Sequence, residues 1–268
     1  MQDIKTTILA LALCTLLVPS LQAQAPPQSA PWFFGIGTGI ARLSSEGDQG
    51  IPTALFGPVD LAFDLTPDDI ADLMKTGFGI GGYATNGTWM FQASLGVLEL
   101  GDEPAGTLPS GAQFRSFLAF DIRAAEFTIG YTAYRSPANT FSFRPHIGAR
   151  NTSHELAASL AVTDGGITTD VDRSIEESWT DFLIGTSFDI SLASNVAWNT
   201  TVDAGFGGSE GTYGGSTGVS WRAKPWVSIG PKLSFMATDV ELGTRGDADW
   251  YLYDANDFSF GLTLLLHF

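Results

Sequence analysis

Three histidines, His146, His154 and His267, are the only side chains of this 268-residue sequence whose ordinary titration range would let them act as a base near neutral pH. A hydrolytic site would need one of them beside a nucleophile, or a pair of acids instead. His154 stands between Ser153 and Glu155, but neighbouring residues of an extended strand point to opposite faces and cannot form a relay alone. His146 shares a run with Arg144 and Arg150 and reads most simply as a hydrogen-bonded interior residue. His267 closes a strand and reads as an interface residue. No protease, phospholipase or deacylase motif is visible, so no catalytic residue is assigned. Asp170/Asp172 and Asp247/Asp249 form Asp-x-Asp pairs of the hard-oxygen type that calcium accepts, without the full spacing of a calcium loop. They are weak metal candidates, and no cofactor is expected.

A third set of chemically active side chains is more orderly. Arg144, His146, Arg150, Asp181, Asp189, Asp203, Arg222 and Lys232 fall at alternate positions of segments whose intervening residues are apolar. Thus Val196, Trp198, Val202, Ala204 and Phe206 oppose Asn199, Thr201, Asp203 and Gly205, and Val227, Ile229, Leu233 and Phe235 oppose Ser228, Lys232, Ser234 and Thr238. The end of the sequence is the clearest case. Phe258, Phe260, Leu262, Leu264, Leu266 and Phe268 share one face, against Ser259, Gly261, Thr263, Leu265 and His267. A period of two with one fully apolar face describes a strand whose outer side meets hydrocarbon. The run matches the roughly 9–11 residues of a tilted bilayer-spanning strand. The charged set would then line a lumen.

The elements implied are hairpins. Trp32–Ile40 alternates, Phe78–Thr85 runs into the Asn86-Gly87 turn signal, and Trp89–Val97 alternates again. Links are short at Asn86-Gly87, Ser136–Thr140, Ala193–Asn195 and Ala223–Pro225. They are longer, and polar or acidic, at Arg42–Thr76, Gly101–Gly111, Thr163–Glu177, Gly207–Thr212 and Gly243–Asn256. Short turns on one side and long loops on the other predict an all-β, transmembrane, antiparallel up-and-down β-barrel. Trp32, Trp89, Trp198, Trp221, Trp226 and Phe268 gather at the short-turn side as an aromatic girdle, with Tyr213, Trp250, Tyr251, Tyr253 and Phe258 as candidates for the opposite one. Along Phe114–Tyr134 the apolar phase switches from Leu118, Phe120 and Ile122 to Phe127, Ile129 and Tyr131. A bulge in one strand gives about ten strands, a hairpin at Arg123–Glu126 with an extra strand at Leu55–Leu65 gives about twelve, and an eight-stranded core is the third alternative. One helix is expected within the first long loop, with Thr66 at N-cap, Pro67 at N1, Asp68 and Asp69 in the first turn and a Leu65/Ile70 staple, running to about Lys75.

Residues 1–23 carry a short n-region, an apolar h-region and small residues before a cut after Ala23, the pattern of a signal peptide. A lead at 24–31 and the barrel at 32–268 follow. The one cysteine, Cys14, lies in the h-region, which excludes a disulfide scaffold from the exported part. A net charge of −16 excludes nucleic acid as a partner.

The run Pro58-Val-Asp, Asp68-Asp-Ile-Ala-Asp-Leu-Met and Phe78-Gly-Ile-Gly-Gly-Tyr-Ala-Thr-Asn-Gly-Thr-Trp89 resembles a family of uncharacterised proteobacterial outer-membrane barrels. Its pattern is an acidic DILDNL-like helix, a strand, a Lys/Arg-Gly-x-Trp turn and a second strand. Asn86-Gly87-Thr88-Trp89 lacks the basic residue, while Ala204–Glu210 and Trp250–Asp254 resemble further family segments. The resemblance implies the fold and no activity.

Together these readings predict a monomer in the bacterial outer membrane. Its partners are membrane lipid and lipopolysaccharide, and it is handled by the barrel-assembly machinery through its C-terminal strand. Two functions fit: a narrow channel for small solutes or a structural barrel, and alternatively a surface binding or adhesion protein acting through long acidic loops. An outer-leaflet hydrolase ranks last.

Overall fold

The computed structural model describes residues 31–268 except 54–56, 104, 108–109, 111–112, 165–166 and 248. The predicted signal peptide and almost all of the lead fall outside the described residues. In chain order the elements are β1 (Phe33–Thr53), β2 (Gly57–Leu65), α1 (Pro67–Leu73), β3 (Met74–Thr85), β4 (Trp89–Asp102), β5 (Ala105–Thr107), β6 (Gln113–Tyr131), β7 (Tyr134–Arg135), β8 (Phe141–Asp164), β9 (Ile167–Ala193), β10 (Val196–Phe206), β11 (Gly211–Lys224), β12 (Val227–Leu242) and β13 (Tyr251–His267). Ten long strands pair antiparallel with their sequence neighbours, and β1 pairs β13 to close the barrel. Closure pairs the strand edges within the hydrocarbon, where an unpaired backbone group would cost several kcal/mol, with the β1–β3 seam paired as far as Thr38–Ile80. β2, β5 and β7 are accessory; β2 pairs only with the upper part of β1, from Ser45 to Thr53, and does not span.

The wall is inside-out at one end and outside-in at the other. Near the short turns the large apolar side chains face outward and are exposed, among them Phe34, Ile36, Ile40, Phe78, Leu95, Phe127, Ile184, Val202, Leu233 and the even-numbered residues Phe258–Leu266 of β13. Trp32, Trp89, Trp198, Trp221, Trp226 and Phe268, all exposed, ring that end. The outward rows turn polar at Arg42, Thr76, Glu99, Arg123, Asn151, Thr180, Asp239 and Asn256, which marks the upper edge of the belt. Beyond it the apolar residues move to the inward face. Leu43, Leu98, Leu100, Ile122, Ala124 and Met236 form one buried cluster with Ile70 of the helix, and Trp179, Val240, Tyr251, Tyr253 and Ala255 form a second. A strand surrounded by lipid buries its polar face, and the same strand surrounded by water buries its apolar one.

This swap explains the phase switch in β6. Its register with β8 runs unbroken from Gln113 to Gly130, with no bulge and no hairpin at Arg123–Glu126. Hydrophobicity changes face while the backbone continues, so a single strand results without the expected bulge. The same rule corrects the second girdle. Tyr213 and Phe258 are exposed, but Trp250, Tyr251 and Tyr253 are buried, because 251 and 253 continue the odd-numbered inward row of β13. Trp250 is held by an Nε1–H bond to Glu241 Oε1 of 2.8 Å, with the Arg245 guanidinium 4.9 Å from its ring centroid.

The acidic segments are mostly strand, not loop. β8 and β9 continue together to Asp164–Ile167, so Asp170, Asp172 and Glu176 ride on a ladder that rises above the belt. Their charge marks water on the outward face rather than an end to pairing. Across the top of the belt Asp48, Asp254 and Asp239 lie side by side on β1, β13 and β12. Burial pushes both the Asp239 and Asp254 carboxyls above their usual range, helped by Glu210 and Glu241 at Asp239 and by Asp239 and Asp48 at Asp254.

α1 forms as expected but ends at Leu73. Thr66 Oγ1 accepts from Asp69 N–H at 3.3 Å in a capping box, and the Asp69 carboxyl is held below its usual range first by the Thr66 hydroxyl, which donates to Oδ2 at 2.5 Å, and then by Thr66 N–H at 2.9 Å. Arg42 pairs with Asp68, and Ile70 enters the upper core. β1 needs this helix. It pairs with β3 only from Phe33–Thr85 to Thr38–Ile80, after which the strands part, α1 packs against β1 and β4, and β2 takes up the β1 edge from Ser45.

Candidate functional site

The inward polar face at belt height is the first candidate. β8 presents Arg144, His146 and Arg150, β9 presents Asp181 and Asp189, and β10, β11 and β12 present Asp203, Arg222 and Lys232. All eight face the interior. Arg150, 1% exposed at its side chain, donates from Nε and Nη2 to Glu126 Oε2 at 2.9 and 2.8 Å and from Nη2 to Asp203 Oδ1 at 3.0 Å. Its Nη1 lies 2.9 Å from Met236 Sδ. Four strands spread around the barrel thus meet on one guanidinium. Lys232, also buried, faces the same carboxylates, Glu126 and Asp203, across a cavity of only about 40 Å³ that His146 also lines.

One layer nearer the short turns, Arg144 Nη2 donates to Asp189 Oδ2 at 3.2 Å, Ser142 Oγ donates to the same oxygen at 3.0 Å, and Asn199 Nδ2 donates to Asp189 Oδ1 at 2.7 Å. Three cations, Arg144, Arg150 and Lys232, therefore face three carboxylates, Glu126, Asp189 and Asp203, and the buried Asp257 adds a further carboxylate in a small cavity that Arg150 also lines. Buried ions paired in this way fill a narrow barrel rather than leave a water column. Asp181 instead pins the β10–β11 turn, because its Oδ1 accepts from Gly208 N–H, Ser209 N–H and Ser209 Oγ–H at 3.1, 2.8 and 2.8 Å. Arg222 lies at the short-turn end near Tyr83 and His267. Glu126 is hidden in the sequence because it falls at a candidate turn; its alternation with Thr128 and Gly130 is the signal that finds it.

The histidines lie apart. His154 is enclosed by Trp179, Tyr253 and Phe120, ring centroids 4.8, 4.6 and 5.1 Å away, and its Nδ1 is 2.7 Å from Tyr251 Oη. His267 sits inside the short-turn end, with Nδ1 3.0 Å from Tyr83 Oη and Nε2 2.7 Å from Ser228 Oγ. Ser228 is 1% exposed and does not line the cavity beside Arg150. Among the described residues no group of three His, Cys, Asp or Glu side chains converges as a metal site. Asp170 and Asp172 are exposed along β9, and Asp247 donates its backbone N–H to Thr244 O at 2.9 Å within the β12–β13 turn that also holds Asp249.

A second feature has no counterpart in the charged row. Above the ion pairs, β1, β2, α1, β4, β6 and β8 enclose a cavity of about 390 Å³ with mainly apolar walls, including Leu61, Phe63, Leu65, Ile70, Leu100, Phe120, Ile122 and Leu156. The sequence does not reveal it because its wall is assembled from residues 45 to 253, and only the outside-in face of the upper strands betrays it.

Similar solved structures share this architecture. The outer membrane protease OmpT from Escherichia coli matches with a TM-score of 0.53 at 9% identity, over 88% of this chain and 96% of that one. The attachment invasion locus protein Ail of Yersinia pestis, in complex with a heparin analogue, matches at 0.34 and 11% identity over 88% and 99% of the chains. The Neisserial surface protein NspA matches at 0.27 and 12% over 88% and 96%. No protein-family model matches the sequence, and no curated protein matches it. The fold is that of the outer-membrane β-barrels, and the likeness to OmpT, at 9% identity, extends to the fold alone.

Proposed function

We propose that this chain is a sealed barrel of the bacterial outer membrane, acting as a binding protein through its water-exposed upper end rather than as an open channel or an enzyme. The observation that carries the reading is Arg150. Its guanidinium ties β6, β8, β10 and β12 together across the lumen, with Lys232 behind it and about 40 Å³ of free space beside it. Ions crossing there would have to displace buried, charge-assisted hydrogen bonds worth about 1.5–3 kcal/mol each. The separation of the three histidines, and the burial of Ser228 beside His267, support a non-catalytic role. The exposed acidic rim and the apolar chamber supply surfaces for binding.

Planar-bilayer recording of the refolded mature barrel tests this. The expected result is a folded, inserted and silent protein, with steps emerging when Arg150 and Lys232 are both replaced by alanine. Reproducible steps from the unmodified barrel, resized by substituting Arg144 or Arg150, would establish the narrow channel instead.

A further inference from the structure

The upper chamber is built to hold something. With about 390 Å³ of space it is more than twice the roughly 150 Å³ engineered cavity that stays dry and accepts benzene, and it falls in the usual range of ligand pockets. Its wall is mainly apolar, with Ile70 of α1 and Leu100, Phe120 and Leu156 of the strands among the lining residues. An empty apolar space of this size forfeits dispersion contacts over its whole lining. Ser45, Gln49, Asp102 and Tyr253 interrupt it with polar groups. Ser45 Oγ, on a residue 5% exposed, is buried in the wall without a hydrogen-bond partner, whereas the Gln49 side chain hydrogen-bonds Tyr251. An unsatisfied buried donor costs about 1–3 kcal/mol, so a ligand offering an acceptor there would recover that cost. Among the described residues that line the chamber, Asp102, which is exposed, carries the only charged side chain. An anionic headgroup would meet a like charge there.

We infer that the upper chamber, bounded by Ile70, Leu100, Phe120 and Leu156 with the Ser45 hydroxyl as its unpaired donor, is a binding site for a free, uncharged hydrophobic molecule carrying one hydrogen-bond acceptor. Its side wall is the place to enter: the β1–β3 seam stops at Thr38–Ile80, and only the seven-residue α1 and β2, which pairs with β1 from Ser45 upward, cover the gap. The chamber lies above the Arg150 layer, so an open lumen beneath it would leave the site intact.

The test uses the mature barrel in lipid nanodiscs, with 2-octanone as the probe and n-octane and octanoate as controls, all measured by equilibrium dialysis against empty nanodiscs. Saturable one-site binding of 2-octanone, weaker binding of octane and none of octanoate is expected. Ser45→Ala should weaken 2-octanone about tenfold, the worth of one hydrogen bond of about 1.4 kcal/mol. Ala158→Trp, which fills the chamber from β8, should abolish binding in a barrel that still migrates as the compact species on an unheated gel. Equal uptake by protein-containing and empty nanodiscs would overturn the site, and full binding by the folded Ala158→Trp variant would place it elsewhere. Preference for octanoate would overturn the ligand class. Binding that emerges only after delipidation would give the chamber to an acyl chain of the membrane and overturn the free-molecule reading.

Discussion

Replacing Arg150 by methionine removes the one side chain that holds four strands together inside the membrane. Three charge-assisted bonds to carboxylates vanish, two to Glu126 and one to Asp203, along with the contact to Met236. The methionine fills much of the volume, so the main effect is electrostatic. Glu126 and Asp203 are left with Lys232 as the nearby cation, and one negative charge in the layer is no longer matched. Breaking a buried pair by removing one partner typically costs about 3–5 kcal/mol. Replacing both sides with neutral groups costs far less, so Arg150→Met/Glu126→Gln should recover about half or more of the loss. Equilibrium urea unfolding in lipid vesicles, followed by tryptophan fluorescence and gel mobility, measures both. A change below about 1 kcal/mol for Arg150→Met, or a double variant worse than the sum of its parts, would refute the idea that this layer is a coupled ion network.

The remaining expectations test other parts of the architecture. Leu233 faces lipid within the belt, so Leu233→Arg should destabilise the folded barrel by about 2–4 kcal/mol in the same urea assay, and an unchanged midpoint would mean the belt is misplaced. Gly35 leaves room for the Tyr83 ring, whose Cε1 would sit 2.3 Å from an added Cβ. Gly35→Val should therefore cost about 1–3 kcal/mol by overpacking, and adding Tyr83→Ala should relieve part of it. Asp254 sits outside the belt beside Asp239 and Asp48, with its carboxyl held above the usual range by burial and then by those acids. A carboxyl raised in the folded state destabilises that state fully above its folded pKa and not at all below its unfolded one. Asp254→Asn should therefore raise the melting temperature at neutral pH, and the gain should fade as pH falls through the ordinary carboxylate range. A gain that grows on acidification would reverse the sign.

Much of this protein is legible from residue order alone. Alternation of period two fixes which side chain of Val196–Phe206 or Phe258–Phe268 faces which way, because a strand has no other choice. The charged row from Arg144 to Lys232 emerges that way, and so do the turns at Asn86-Gly87 and Ser136–Thr140, where short-range chemistry acts. Alternation does not say which medium lies on either side. Leu118, Phe120 and Ile122 look like a change of phase, and Tyr251 and Tyr253 look like a girdle. Their surroundings are set by the height at which the barrel leaves the bilayer, and that is a property of all ten strands together. Partnership is likewise hidden. Glu126 and Arg150 are 24 residues apart and Arg150 and Met236 are 86 apart, and only the closed register brings them within hydrogen-bond reach. The upper chamber is the extreme case, since a cavity walled by residues scattered from 45 to 253 exists only once the chain has closed on itself and the seam beside α1 has been left unpaired.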